Sequence, residues 1–288
     1  MQRKLFGVCR LLRPGFRWGY ASNADLITLS RDHEVPTVAV LQFNQPDKLN
    51  ALTEAMGHRF TEIIEQLCTE NSEQLRAVVL TGAGKAFSAG GDLAFLQHRT
   101  EPDMTVGDAN VRTMLRFYES FLCVRRLPVP VISAINGHAI GAGFAMTLAT
   151  DIRIVANEAK LALNFTQLGL HPGMGSTHFL PLLVGHQNAS FMLLSGGQIS
   201  GVEAKDMGIA LRAVPKETVL PDALAMARTM AKASPVAVRT TLLTLRAERN
   251  RGLEDALIRE ADAQAQCYAA PDLLRGLKAI KDKHPPAF

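Results

Sequence analysis

Long apolar runs are missing from this 288-residue chain, and its four cysteines are never clustered. No stretch approaches the roughly 20 consecutive apolar residues needed to cross a bilayer as a helix, so membrane-spanning readings are excluded. Cys9, Cys68, Cys123 and Cys267 show no CxxC spacing and no histidine pairing, which argues against a zinc site and a disulfide framework. Scattered thiols suit a reducing compartment. Acid is lacking in one place: no Asp or Glu precedes Asp25.

That acid-free leader holds Arg3, Lys4, Arg10, Arg13 and Arg17, and it accounts for the formal charge of +4; removing its five charges leaves about −1 for the rest. Arg3, Arg10 and Arg17 recur every seven residues and share one side of a helical wheel, opposite Leu5, Val8, Leu12 and Phe16. An arginine-rich amphipathic leader of this kind has the composition of a mitochondrial transit peptide, favoured over a plain basic tail although Pro14 would interrupt a long helix. The expected division is a leader over 1–24, an α/β core over 25–198 and a helical region over 199–288.

Past the leader, strand and helix patterns alternate. "TVAVLQF" (37–43) and "LRAVVLTG" (75–82) read as strands. Between them Met56, Phe60, Ile63, Ile64 and Leu67 form one helical face. A second helix shows in Val111, Met114, Leu115, Tyr118, Phe121 and Leu122, followed by strand "PVPVISAING", helix "GAGFAMTLATD" and strand "IRIVA". Repetition of strand, loop and helix with one polarity indicates an α/β fold. Ser200 three residues before Glu203 signals a capping box, and Ser234-Pro235 opens another helix; the last 70 or so residues read as all-helical.

Two glycine-rich loops follow strands. "GAGKAFSAGGDL" (82–93) lacks the G-K-[ST] ending of a phosphate loop and the GxGxxG dinucleotide spacing. Gly90 and Gly91 leave backbone N–H groups unobstructed at a helix start, with Asp92 placed to cap that helix. Gly141, Ala142 and Gly143 repeat the arrangement in "GHAIGAGF". Two loops of this kind can aim two N–H groups at one oxygen, which makes an oxyanion hole.

Together, "TGAGKAFSAGGDL", "PVISAINGHAIGAGFAMTLATDIRIV", "LGLHPGMGSTHFLPLLVG" and "ISGVEAKDMGIALRAV" resemble the crotonase (enoyl-CoA hydratase/isomerase) superfamily, in order from about residue 35 to the C-terminus. The resemblance implies a spiral of strand–strand–helix units, a C-terminal helical trimerisation region and an acyl-CoA thioester as ligand, coenzyme A entering as part of the substrate with no separate cofactor or metal. It assigns the oxyanion donors to Gly91 and Ala142. It places Leu49, Asn50, Ala51, Ala89, Gly141, Phe165 and Lys283 around the substrate and its coenzyme A portion, with Lys48 one place off the usual basic position. Its oligomers are trimers or pairs of trimers.

Against that background two residues are missing. The positions where the resemblance puts the hydratase glutamates hold Ala145 and Phe165, and neither can transfer a proton. Polar residues nearby are Asn164, an amide that cannot act as a base, and the candidates His171 and Asp92; if residues 164 and 165 lie on a strand, one of them points away. His98, His138 and His178 read as surface or structural. Two function classes therefore stand: an acyl-CoA enzyme whose reaction (decarboxylation, thioester hydrolysis or isomerisation) leans on the oxyanion hole with ordinary hydration unexpected, or a silent acyl-CoA binder or structural partner of active paralogues. RNA binding is disfavoured because Glu54, Glu62, Glu65, Glu70 and Glu73 outnumber Arg59 and Arg76 along the first helix and its exit.

Overall fold

The structure is a computed structural model that describes residues 26–104, 108–285 and 287–288, so the leader over 1–24 lies outside the described residues. The chain runs β1 (Ile27–Arg31), β2 (Val38–Phe43), α1 (Glu54–Cys68), β3 (Ala77–Gly82), β4 (Ala86–Ser88), α2 (Leu93–His98) and α3 (Ala109–Leu122). Next come β5 (Val131–Ile135), β6 (His138–Ile140), α4 (Ala142–Leu148), β7 (Ile152–Ala156), β8 (Lys160–Ala162) and α5 (Ser176–Ser195). The last part is β9 (Gln198–Ser200), α6 (Gly201–Asp206), β10 (Arg212–Val214), α7 (Val219–Ala231), α8 (Pro235–Arg249), α9 (Leu253–Ala269) and α10 (Asp272–Asp282).

Local chemistry starts these elements where the sequence indicates. The Thr53 side chain accepts from the Met56 amide at 3.1 Å to open α1, whose Met56, Phe60, Ile63, Ile64 and Leu67 are all buried. Ser200 and Glu203 form the reciprocal capping box on α6, and Ser234 caps α8 ahead of Pro235.

Two sheets carry the fold. The larger has the order β1-β2-β3-β5-β7-β10, parallel from β2 onward, and the smaller has the order β4-β6-β8-β9. Each turn of chain places one strand in the large sheet and the next in the small sheet before a helix returns: β3, β4, α2; then β5, β6, α4; then β7, β8, α5. This is the expected spiral of strand–strand–helix units. Because β3 and β5 are buried along their whole length, they read as continuous apolar runs rather than alternating ones.

Strand structure continues past the division expected at 198/199. β9 straddles it, β10 lies beyond it, and β10 pairs with β7 as the edge of the large sheet. The purely helical part starts at Val219. There α7 covers β3, β5 and β7, α9 lies along α3, and α10 meets α2. Helix α8 is tied down by Arg246, which pairs with Asp151 at 2.5 Å and donates to the carbonyls of Arg125, Leu127 and Val129. The rest of α8 leaves Val236, Leu243 and Leu245 exposed, as α5 leaves Phe191 and Leu194.

Candidate active site

The two glycine loops are locked to each other. β4 and β6 run parallel, and each feeds one loop. Ser88 in the first loop donates to the Asn50 carbonyl at 2.8 Å and accepts from the Gly90 amide at 3.2 Å. Gly90 has φ +93°, and a Cβ on it would lie 2.6 Å from the Ile140 carbonyl oxygen and 3.5 Å from the Ala142 nitrogen. Gly143 answers from the other side: a Cβ there would come within 2.5 Å of the Ser88 hydroxyl. Only glycine permits this approach, and at Gly90 and Gly141 it also supplies the left-handed φ.

Tight packing leaves two donors free. Leu52 donates to the Gly90 carbonyl and accepts from the Asp92 amide, so the Gly91 N–H between them faces away from that bridge. Ala142 opens α4, where an amide has no intrahelical acceptor. Among the described residues neither amide has a hydrogen-bond partner. Both residues line one cavity of about 460 Å³, within the usual size range for small-molecule sites.

The cavity gathers several of the expected residues. Ala51, Ala89, Gly91, Asp92, Gly141, Ala142 and Phe165 line it, and so does Lys48. Asp92 acts as a cap, accepting from the Phe95 amide at 2.9 Å. Phe165 and Asn164 both face the cavity, which corrects the expectation that one would turn away: β8 ends at Ala162, and Phe165 has helical dihedrals, so strand alternation does not apply. The Asn164 carboxamide oxygen sits 3.3 Å from where a Gly141 Cβ would be, and its amide makes no hydrogen bond among the described residues.

Other expected residues stand elsewhere. His171 does not line the cavity; its Nδ1 bonds the Pro172 carbonyl at 2.6 Å, and burial lowers its pKa. Lys283 follows α10, exposed, and does not line the cavity of its own chain; the resemblance has this lysine reach coenzyme A on a neighbouring subunit. Asn50 is fully buried, and its side chain joins Gln45, Ala83 and Ala86, so it builds the loop rather than the wall. Leu49 contributes its carbonyl to the Ala89 amide. His138 and His178 accept and bond backbone groups of Lys160 and Arg249, and His98 pairs with Glu101.

Sequence reasoning did not reach the wall formed by α3 and α9. Tyr118 donates to the Gln264 carboxamide oxygen at 2.8 Å, and Gln264 donates to the His171 carbonyl at 2.8 Å. Tyr268 donates to the Met114 sulfur at 3.3 Å. Burial holds both phenols above their ordinary pKa, so they act as neutral hydrogen-bonding groups. With Met114, Phe117, Leu168, Leu170 and Met174 the wall is otherwise apolar. Ala145 is fully buried and does not line the cavity. Such a site can hold a carbonyl oxygen on two backbone donors beside an apolar chamber, and Asp92 is the one carboxylate on its described wall. No group of three His, Cys, Asp or Glu among the described residues could hold a metal ion, and no described helix is long and apolar enough to cross a membrane.

Comparison with known proteins gives one consistent result. The profile of the enoyl-CoA hydratase/isomerase family matches residues 34–288. A Thermus thermophilus protein provisionally named an enoyl-CoA hydratase is 36% identical over 251 residues, covering 87% of this chain and 97% of the relative. The 1,2-epoxyphenylacetyl-CoA isomerase of Escherichia coli is 32% identical, covering 89% of this chain and 96% of the relative. The solved structure of an enoyl-CoA hydratase from Bacillus anthracis superposes with a TM-score of 0.69 at 33% identity, covering 91% of this chain and 98% of that one.

Proposed function

The chain belongs to the enoyl-CoA hydratase/isomerase family, and from that premise we propose that it binds an acyl-CoA thioester with the carbonyl oxygen held between the Gly91 and Ala142 amides. The family acts on acyl-CoA thioesters. The observation that carries the reading is the pair of N–H groups on abutting loops that have no partner among the described residues, in two residues that line one cavity. Donors fixed by glycine packing need no rearrangement when charge develops on the oxygen, so they favour the enolate-like form of the thioester over the ground state.

The proposed reaction is one that uses this polarisation without a pair of proton-transferring carboxylates, and crotonyl-CoA hydration is a poor reaction for this protein. Hydration needs a group to activate water and another to protonate carbon, each contributing roughly 10²–10⁴-fold. Ala145 and Phe165 supply neither. One relative's name, 1,2-epoxyphenylacetyl-CoA isomerase, describes rearrangement of an acyl-CoA rather than hydration, and it supports an isomerase-type reading. Calorimetric titration with butyryl-CoA tests the binding claim: saturable one-to-one binding supports it, and no heat or competition at millimolar ligand rejects it.

Two further parts of the reading concern assembly and place. We infer a trimer or pair of trimers, because exposed Phe191, Leu194, Leu243 and Leu245 offer apolar surface on α5 and α8. Sedimentation at micromolar concentration checks this, and a monomer would reject it. The arginine-rich leader favours the mitochondrial matrix; recovery of the native protein in a cytosolic fraction with Met1 intact would reject that placement.

A further inference from the structure

The cavity wall between α3 and α9 is built as two rungs. Met114 and Tyr118 stand four residues apart on α3, and Gln264 and Tyr268 four apart on α9, so each pair shares a helix face. Tyr118 meets Gln264 on one rung at 2.8 Å, and Tyr268 meets the Met114 sulfur on the other at 3.3 Å. All four line the same cavity as Gly91 and Ala142, and none is more than 3% exposed. Gly173 makes room for the first rung: a Cβ on it would lie 2.6 Å from the Tyr118 hydroxyl oxygen and 2.7 Å from the Gln264 amide nitrogen.

These groups have hydrogen-bonding capacity left over. The Tyr268 hydroxyl spends its proton on a thioether, a weak acceptor. Gln264 has two amide protons and uses one among the described residues, on the His171 carbonyl. Buried polar groups that are only partly paired are costly beside Phe117, Leu168 and Leu170, and a ligand oxygen on this wall relieves the cost. A charged oxygen does not suit the place. Burial keeps both phenols protonated, the Glu260 charge adds to that effect at Tyr118, and exposed Lys48 is the one cation among the described lining residues.

Resting on the acyl-CoA reading above, we propose that the acyl group of the substrate carries a ketone remote from the thioester, and that the Tyr268 hydroxyl and the second Gln264 N–H donate to its oxygen. The substrate class is therefore oxoacyl-CoA thioesters with the oxo group toward the far end of the chain. Gly91 and Ala142 hold one carbonyl, and the wall of α3 and α9 holds the other. Turning the Tyr268 proton from sulfur to a carbonyl oxygen exchanges a weak acceptor for a strong one.

Calorimetric titration with matched pairs tests the proposal: 4-oxopentanoyl-, 5-oxohexanoyl- and 6-oxoheptanoyl-CoA against pentanoyl-, hexanoyl- and heptanoyl-CoA. The expected result is that at least one oxoacyl thioester binds about tenfold or more tightly than its plain partner of equal length. Tyr268→Phe keeps the ring and removes the donor, so it should cut that preference to about threefold or less and leave plain acyl-CoA binding within about threefold. Infrared spectra of the preferred ligand, labelled with ¹³C at the ketone, read the same contact in wild type: its stretch should fall below its position in water. Wild-type protein that binds every plain thioester as well as its oxo partner overturns the proposal and leaves the acyl-CoA reading standing. A preference unchanged in Tyr268→Phe, or a ketone stretch at or above its position in water, overturns it too. Failure of all six ligands to bind rejects both.

Discussion

Gly90 stands so close to Ile140 that a Cβ on it would lie 2.6 Å from the Ile140 carbonyl oxygen. That contact packs the loops after strands β4 and β6 against each other, and Gly91 and Ala142, one on each loop, both line the same cavity. The proposed carbonyl-binding role of the site thus rests on two backbones packed without an intervening side chain.

A pair of substitutions separates packing from chemistry. Gly90→Ala meets backbone and a φ of +93°, so it should destabilise the fold by about 2 kcal/mol or more and lower the melting temperature by about 5 °C. Gly91→Val meets nothing within 4 Å of its Cβ and requires no left-handed φ. It should therefore melt within about 2 °C of wild type while losing about tenfold or more in butyryl-CoA affinity, because its side chain occupies the cavity. Scanning calorimetry and titration read the two effects separately; equal loss of stability in both variants would refute the assignment.

Crotonyl-CoA hydration, followed by loss of enoyl absorbance, should run at least about a hundredfold below an enoyl-CoA hydratase assayed beside it. Phe165→Glu alone should not restore it, since Ala145 remains a fully buried methyl off the cavity. Wild-type turnover comparable with the reference enzyme would show that another wall residue moves the proton, and Asp92 is the carboxylate to substitute first.

Glu260 gives the stability of the fold a pH dependence. Its fully buried carboxyl accepts from the Gly175 amide at 2.7 Å, the Thr177 amide at 2.9 Å and the Thr177 hydroxyl at 2.5 Å, capping α5. Burial outweighs those bonds and raises its pKa from 4.5 to about 7. The folded state therefore holds the proton more tightly than the unfolded one. This contribution is full below pH 4.5 and is lost as pH rises through about 7, up to about 3 kcal/mol in all. Denaturant melts at pH 4.5, 6 and 8 should show wild type losing stability relative to Glu260→Gln across that window. A constant difference between the two would contradict the raised pKa.

The long elements were legible in the sequence because they have period and length. Strands β2, β3, β5 and β7 and helices α1, α3 and α4 fall where Val-rich runs and helical spacing place them. Strands β4, β6, β8 and β9 have three residues each, too few to show a period, and they are held by partners distant in sequence. The same division applies to the site. Gly90, Gly91, Gly141 and Ala142 announced themselves because a backbone role requires small residues in a loop after a strand. Tyr118, Gln264 and Tyr268 reach the cavity only because α9 packs along α3, and no local pattern in either helix marks that meeting. His171 attracted notice as a titratable residue, yet its ring is spent on the Pro172 carbonyl.

The central claim is that Gly91 and Ala142 polarise a thioester carbonyl. Difference infrared spectroscopy of bound butyryl-CoA, with and without ¹³C at the thioester carbonyl, observes that bond directly. Two backbone donors on the oxygen should shift the carbonyl stretch to clearly lower wavenumber on binding, and Gly91→Val should return it toward its position in water. A bound thioester whose carbonyl stretch is unchanged from water, or shifted to higher wavenumber, would contradict the account.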